Sequence, residues 1–162
     1  MAILPPSGRS ATATVPAVYR ILLLYLEPLF ALGGVLLVLT QPQTYASTMT
    51  RAAVTSLDPA TRFIYTELGG AWLHFAFTEA IALRLLDDVR AWKVLCMAML
   101  MSDLPYCHSV AQAVGGWQAW LVVADWTVED WIATVTTWPF VLTRIAIIFG
   151  VGSRETKKQK DR

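Results

Sequence analysis

Eight ionisable side chains fall inside the most apolar parts of this 162-residue sequence: Glu27, Glu67, His74, Glu79, Arg84, Asp103, His108 and Arg144. A charge in hydrocarbon is costly unless it is neutralised, paired or reached by water, so charges kept there default to a functional hypothesis. Glu67 and Arg84 sit near the ends of their apolar stretch, where an interfacial or snorkelling role suits them. Glu27, His74, Glu79, Asp103 and Arg144 lie deeper and are the candidate catalytic groups.

Two carboxyls with an arginine and a histidine suit acid and base chemistry. An ionised carboxylate activates water or removes a proton, while a desolvated neutral acid delivers one to oxygen. Epoxide opening needs that pair: the acid protonates the ring oxygen as it leaves, and the base readies water or an internal hydroxyl on the opposite face. Migration of a double bond in a lipid uses similar groups without water, so the residues alone leave hydrolase and isomerase open. The structural alternative is an ion-pair lock in which Arg144 bridges Asp103 and Glu27, but a lock has no need of His74 and Glu79. No zinc-binding spacing, phosphate loop, dinucleotide fingerprint or nucleophile elbow is present, so neither a metal nor a cofactor is expected.

The elements that must position these groups follow from composition. The chain is 56% hydrophobic and 15% charged, outside the range of ordinary soluble domains. Apolar residues concentrate in four stretches, each long enough to cross a hydrocarbon core as a helix. The expected fold is an all-α bundle of four transmembrane helices, one integral membrane domain over 1–162, with spans at about 19–40, 65–86, 92–114 and 131–151. A soluble enzyme, a secreted disulfide framework and a disordered or nucleic-acid-binding chain are excluded on the same grounds. No alternating segment predicts strands. Cys96 and Cys107 fall in one span, roughly 16 Å apart along a helix and beyond disulfide reach.

Basic residues set the expected orientation. Four spans leave Arg9, Arg20, Arg84, Arg90, Lys93, Arg154, Lys157, Lys158, Lys160 and Arg162 on one side, and Arg51 and Arg62 on the other. That asymmetry predicts cytosolic termini. Residues 1–19, rich in Pro, Ser, Thr and Ala, do not read as a cleavable signal. On the far side, Trp117, Trp120, Trp126 and Trp131 form an aromatic belt, with 117–124 expected in the interface plane. The segment 41–61, with Pro42 and Pro59, is expected to lie across the bundle mouth. Lys158 and Lys160 in the basic tail 152–162 resemble a dilysine retrieval signal, which with the spans predicts a multi-pass protein of the endoplasmic reticulum membrane.

Helical angles of about 100° per residue sort the charges by face. Arg20, Glu27 and Gly34 align on span one, and Glu67, His74 and Thr78 on span two. Gly34 and Gly70 are expected to allow close helix approach. Glu79 lies about 140° from His74, so both line one cavity only if span two is central. Pro105, between Asp103 and His108, can bend its helix and open a cavity. The thioethers of Met97, Met99 and Met101 suit an irregular lipophilic pocket. Tyr25, Met99, Tyr106 and His108 are the expected pocket residues.

Short motifs along nearly the whole chain carry a family resemblance. They are Tyr25-Leu26-Glu27-Pro28 with Ala31-Leu32-Gly33; Asp103 with His108; Gly116-Trp117 with Trp120; and Thr143-Arg144 with Phe149-Gly150-Val151-Gly152. The pattern resembles a family of small fungal four-helix membrane proteins. Some members of that family look like polyketide-pathway enzymes that open polyene epoxides in citreoviridin-type and aurovertin-type pathways. In that pattern the acid and histidine stand about one turn apart, whereas here they are five positions apart with Pro105 between them. The resemblance implies an epoxide hydrolase or cyclase acting on a lipophilic polyketide, beside pathway enzymes in the same membrane. Asp103 and Glu27 are the expected acid and base, Arg144 the orienter, and His74 or Glu79 a proton relay. The alternatives are a sterol-type or terpenoid isomerase or cyclase, and a non-catalytic membrane subunit or scaffold.

Overall fold

A computed structural model describes residues 8–153 and shows only helices and turns among them. The basic tail, including Lys158 and Lys160, lies outside the described residues. Four long helices run at Ala17–Thr40, 62–85, Val89–Ala113 and Val128–Phe149. They agree with the expected spans to within three residues at each end. The first, third and fourth are long and apolar enough to cross a membrane. The second has similar length but carries Glu67, His74, Glu79 and Arg84 and is not among those three. Outward-facing Leu36, Met101, Leu104 and Phe149 are exposed, which is the surface that a lipid-facing helix presents.

Local chemistry sets the boundaries. Gln41 precedes Pro42, whose ring disfavours a helical residue before it; the first helix stops there and a short one, Pro42–Met49, restarts with proline in its first turn. Asp88 caps the third helix by accepting from the N–H groups of Arg90 and Ala91. That helix runs unbroken through Pro105. Thr127 and Asp130 form a capping box at the start of the fourth, and Gly150 ends it in the left-handed conformation, φ 74°.

The first and second long helices pack along each other, as do the third and fourth. An added Cβ at Gly34 would lie 2.5 Å from the Trp72 ring, and one at Gly69 3.0 Å from Leu39, so these two glycines permit the close approach. Gly70, expected to serve this purpose, faces open space. Gly69, one residue away, is the position on the packed face.

The two pairs meet where both the first and the second helix widen into π-helical turns, Leu22–Leu26 and Thr78–Ala82. Such turns insert a residue and re-aim the side chains beside them. On one side of this waist, Leu23, Leu83, Trp92, Cys96, Met99, Phe140 and Ile147 form a closed core, and the Trp92 indole donates to the Leu83 carbonyl, 2.9 Å away. Here the chain before the first helix is tied to the link between the second and third. Asp87 accepts from the Ser10 hydroxyl and the Thr12 N–H, and the Val89 N–H donates to the Arg9 carbonyl. On the other side the pairs diverge around a cleft, covered by Pro42–Met49 and the start of the fourth helix.

Candidate functional site

Arg144 is fully buried at the waist and gathers three carboxyls from three helices. Its Nη2 lies 2.7 Å from Glu27 Oε1 and 2.6 Å from Glu79 Oε1, and its Nη1 donates to Asp103 Oδ2 at 2.6 Å. Glu79 is fully buried, Asp103 nearly so, and Glu27 leaves 13% of its side chain exposed. Arg144 Nε, Glu27 Oε2 and Glu79 Oε2 are buried without a hydrogen-bond partner. Full ionisation would leave three negative charges facing one positive charge in a nonpolar bundle. Such a cluster is held together by sharing protons, by admitting water or by taking up a further cation.

The π-helical turns place two of these acids. Pro28 has no N–H, so the Leu24 carbonyl loses the helical donor four residues ahead. Arg84 fills the gap: its Nη2 donates to Leu24 O at 2.8 Å, and its guanidinium lies 4.6 Å from the centre of the Tyr25 ring. Leu22–Leu26, directly before Glu27, thus keeps a widened turn with the Leu24 carbonyl satisfied. Arg84 is therefore a structural contact in addition to lying near a helix end. Glu79 lies inside the second widened turn, on the packed face with Gly69 and Ala76.

Glu27 and Asp103 also line the cleft, a cavity of about 480 Å³. Its other walls are Phe30 and Gly34 from the first helix, Trp72 and Phe75 from the second, Tyr106 from the third, and Ile132, Ala133, Thr136 and Thr137 from the fourth, with Tyr45, Thr48 and Met49 over it. Tyr45 and Tyr106 both stand edge-on to Trp72, with ring centroids at 5.6 and 6.4 Å. Burial holds the Tyr45 hydroxyl well above its ordinary pKa, with Tyr106 and Tyr65 adding to the effect, so it remains a neutral donor. Of the segment 41–61 expected across the bundle mouth, Tyr45, Thr48 and Met49 line the cleft.

Glu27, Glu79, Asp103 and Arg144 are thus brought together, and Tyr106 reaches the cavity. Four other expected site residues do not join them. His74 is exposed, on the face of the second helix opposite Glu79; the second helix packs against the first and is not central, so it cannot present both residues to one cavity. Tyr25 is exposed beneath Arg84, and Met99 belongs to the closed core. His108 is exposed and accepts a hydrogen bond at Nδ1 from the Trp117 indole, 3.0 Å away, outside the cleft. The ion-pair lock reading foresaw Arg144 between Asp103 and Glu27, and that contact is present, with Glu79 as a third partner.

Sequence reasoning passed over the aromatic wall. Trp72 was its clearest available signal, lying seven residues before Glu79 on the same helical face. Among the described residues no group of three or more His, Cys, Asp and Glu side chains is arranged to hold a metal ion.

A family model described as a domain of unknown function, DUF7704, matches residues 12–154, and the chain belongs to that family. No curated protein and no solved structure matches it.

Proposed function

We propose that this DUF7704 protein is a multi-pass membrane enzyme that opens an epoxide of a lipophilic polyketide with water or an internal hydroxyl. The observation that carries the proposal is the pair Glu27 and Asp103, held by Arg144 at the floor of an aromatic and apolar cavity. One carboxyl, protonated, gives its proton to the ring oxygen as the carbon–oxygen bond breaks. The other takes a proton from the attacking hydroxyl as the new carbon–oxygen bond forms. Acid and base finish with their roles exchanged; Arg144, in contact with both, orients them, and Glu79, on the same guanidinium, is the relay for the proton's return. Arg144 also keeps one carboxyl ionised while the other stays neutral. His74 has no place in this scheme.

The second helix completes a four-span bundle in this proposal, with both ends in the cytosol of an endoplasmic reticulum membrane. The ten-to-two distribution of basic residues supports that orientation. Arg51, one of the two on the far side, is paired with Asp130 at 2.8 Å. The resemblance of Lys158 and Lys160 to a retrieval signal supports the compartment.

The test is an untargeted metabolite comparison of the native host with and without this gene, complemented by the Asp103→Asn variant. A hydrolase leaves the deletion strain with a compound one water lighter than the lost product; equal masses identify a cyclase or isomerase. Asp103→Asn is expected to insert normally and to reproduce the deletion profile. An unchanged deletion profile removes the catalytic proposal in favour of a membrane subunit whose charges only pair, and full complementation by Asp103→Asn removes Asp103 from the chemistry.

A further inference from the structure

The cleft joins two properties that epoxide opening does not by itself demand. Its charged lining is entirely acidic: Glu27 and Asp103 at the floor and Glu129 at the rim, with no lysine, arginine or histidine among the described residues that line it. Arg144 lies behind the floor, one guanidinium shared among the three carboxyls Glu27, Glu79 and Asp103. Asp103, which lines the cleft, is 8% exposed and holds Arg144 through Oδ2, while Glu27 Oε2 is buried and accepts no hydrogen bond from a protein N–H or hydroxyl. The rings of Phe75, Trp72, Tyr45 and Tyr106 line the same cavity, with the Arg144 guanidinium 5.4 Å from the centre of the Phe75 ring. Aromatic faces attract cations, most strongly where water is excluded, and unpartnered carboxylate oxygens attract them further.

The geometry points to a binding site for a lipophilic ammonium ion, with the cationic nitrogen between the carboxyl floor and the aromatic wall and the alkyl chain along the apolar cleft. The cavity is large enough for a ligand of drug size, and Leu29, Phe30 and Ile132, which line it, are apolar and exposed, a wall on which an alkyl chain can lie. The inference deepens the proposed function and rests on it in one respect. Acid-catalysed epoxide opening builds positive charge on the carbon that is losing oxygen, and an ammonium ion placed there imitates that charge.

The experiment uses the full chain in nanodiscs of zwitterionic lipid. The probe is N,N-dimethyldodecylamine, compared with the branched alkane in which a CH group replaces the nitrogen. Both partition into the bilayer, so the readout is the displacement of the amine from the wild-type protein relative to empty nanodiscs, together with the quenching of tryptophan fluorescence that Trp72→Phe removes. The ammonium is expected to bind at least about tenfold more tightly than its neutral counterpart. Glu27→Gln and Asp103→Asn are expected to erase most of that preference, and Glu67→Gln, outside the cleft, to retain it. Equal binding of amine and alkane by the wild-type chain overturns the inference without any variant having to fold. So does an amine preference that survives both floor substitutions. Because binding needs no turnover, the two proposals fail separately: amine binding with an unchanged metabolite profile leaves a cation-binding protein without epoxide chemistry, and a lost product without amine selectivity leaves the enzyme without this site.

Discussion

At the near end of the bundle Leu23, Leu83, Trp92 and Cys96 leave at most 2% of their surface exposed, whereas at the far end Leu29, Phe30 and Ile132, which line the cleft, leave between 47% and 64%. The same four helices build both ends. They differ because the two π-helical turns bring the helix pairs together at the waist, and beyond them each pair follows its own close contact, Gly34 against Trp72 being the one nearest the cleft. The closed end fixes the backbone that carries Arg144, and the carboxyls it holds are turned toward the open end. A rigid half that positions charge and an open half that admits a ligand are the arrangement that a preorganised site requires.

Removing the charge at the boundary should have the largest effect. Arg144→Met leaves Glu27, Glu79 and Asp103 without the one cation paired with them among the described residues, and stranding buried partners in this way costs about 3–5 kcal/mol. The variant is expected to lose its cooperative thermal transition in detergent and to reach the membrane in much lower yield. A transition close to that of the wild type would mean that the carboxyls are already neutral without Arg144.

Truncation on either side of the waist sharpens the contrast. Trp92→Ala empties a fully buried site and orphans the Leu83 carbonyl; large-to-small changes of this kind cost about 3–5 kcal/mol. Each folded molecule should nevertheless keep its activity and ligand preference. Trp72→Ala removes a half-buried wall of the cleft, so it should lower the melting temperature less but change which ligands the cavity takes. Thermal unfolding and metabolite profiling of the two variants decide the matter, and the reverse pattern would place the functional cavity at the near end.

How much of this was legible in the residues depends on what made each one costly. Glu27, Glu79, Asp103 and Arg144 could be picked out because a charge in an apolar helix must find its opposite, whatever the details of packing. The helix ends follow prolines and caps such as Pro42, Asp88 and Thr127, but Asp88 and Thr127 were not read as caps, and the expected starts at 92 and 131 fell three residues late. His74 was misplaced because an angle on a helical wheel names a face but not the neighbour that face will meet. Gly70 was chosen over Gly69 for the same reason, and only the contact with Leu39 separates them. The widened turns left one trace, Pro28 in mid-span, whose missing donor calls for something to satisfy the Leu24 carbonyl. Arg84, sixty residues away, supplies it, a pairing that spacing along one helix does not reveal.

The smallest effect belongs to the rim of the closed end. Asp87 accepts hydrogen bonds from the Thr12 N–H and the Ser10 hydroxyl, both at 2.7 Å, and these hold its carboxyl below the usual carboxylate range. A folded-state pKa below the unfolded value means that the stabilisation is present in full above the unfolded value and is lost as the pH falls through the folded one. Asp87 is exposed, so solvent screening keeps its contribution small, and global unfolding should hardly register the change. Local opening should. After correction for the intrinsic rate, hydrogen exchange at the Thr12 amide is expected to rise on acidification through that range while exchange in the third helix around Trp92 stays slow. Asp87→Asn should show the faster Thr12 exchange already at neutral pH and lose the acid-dependent step. A Thr12 amide that exchanges alike in both proteins at every pH would mean that the segment is held by the burial of Ala11 and Val15 in the core, and the closed end would then owe its closure to packing alone.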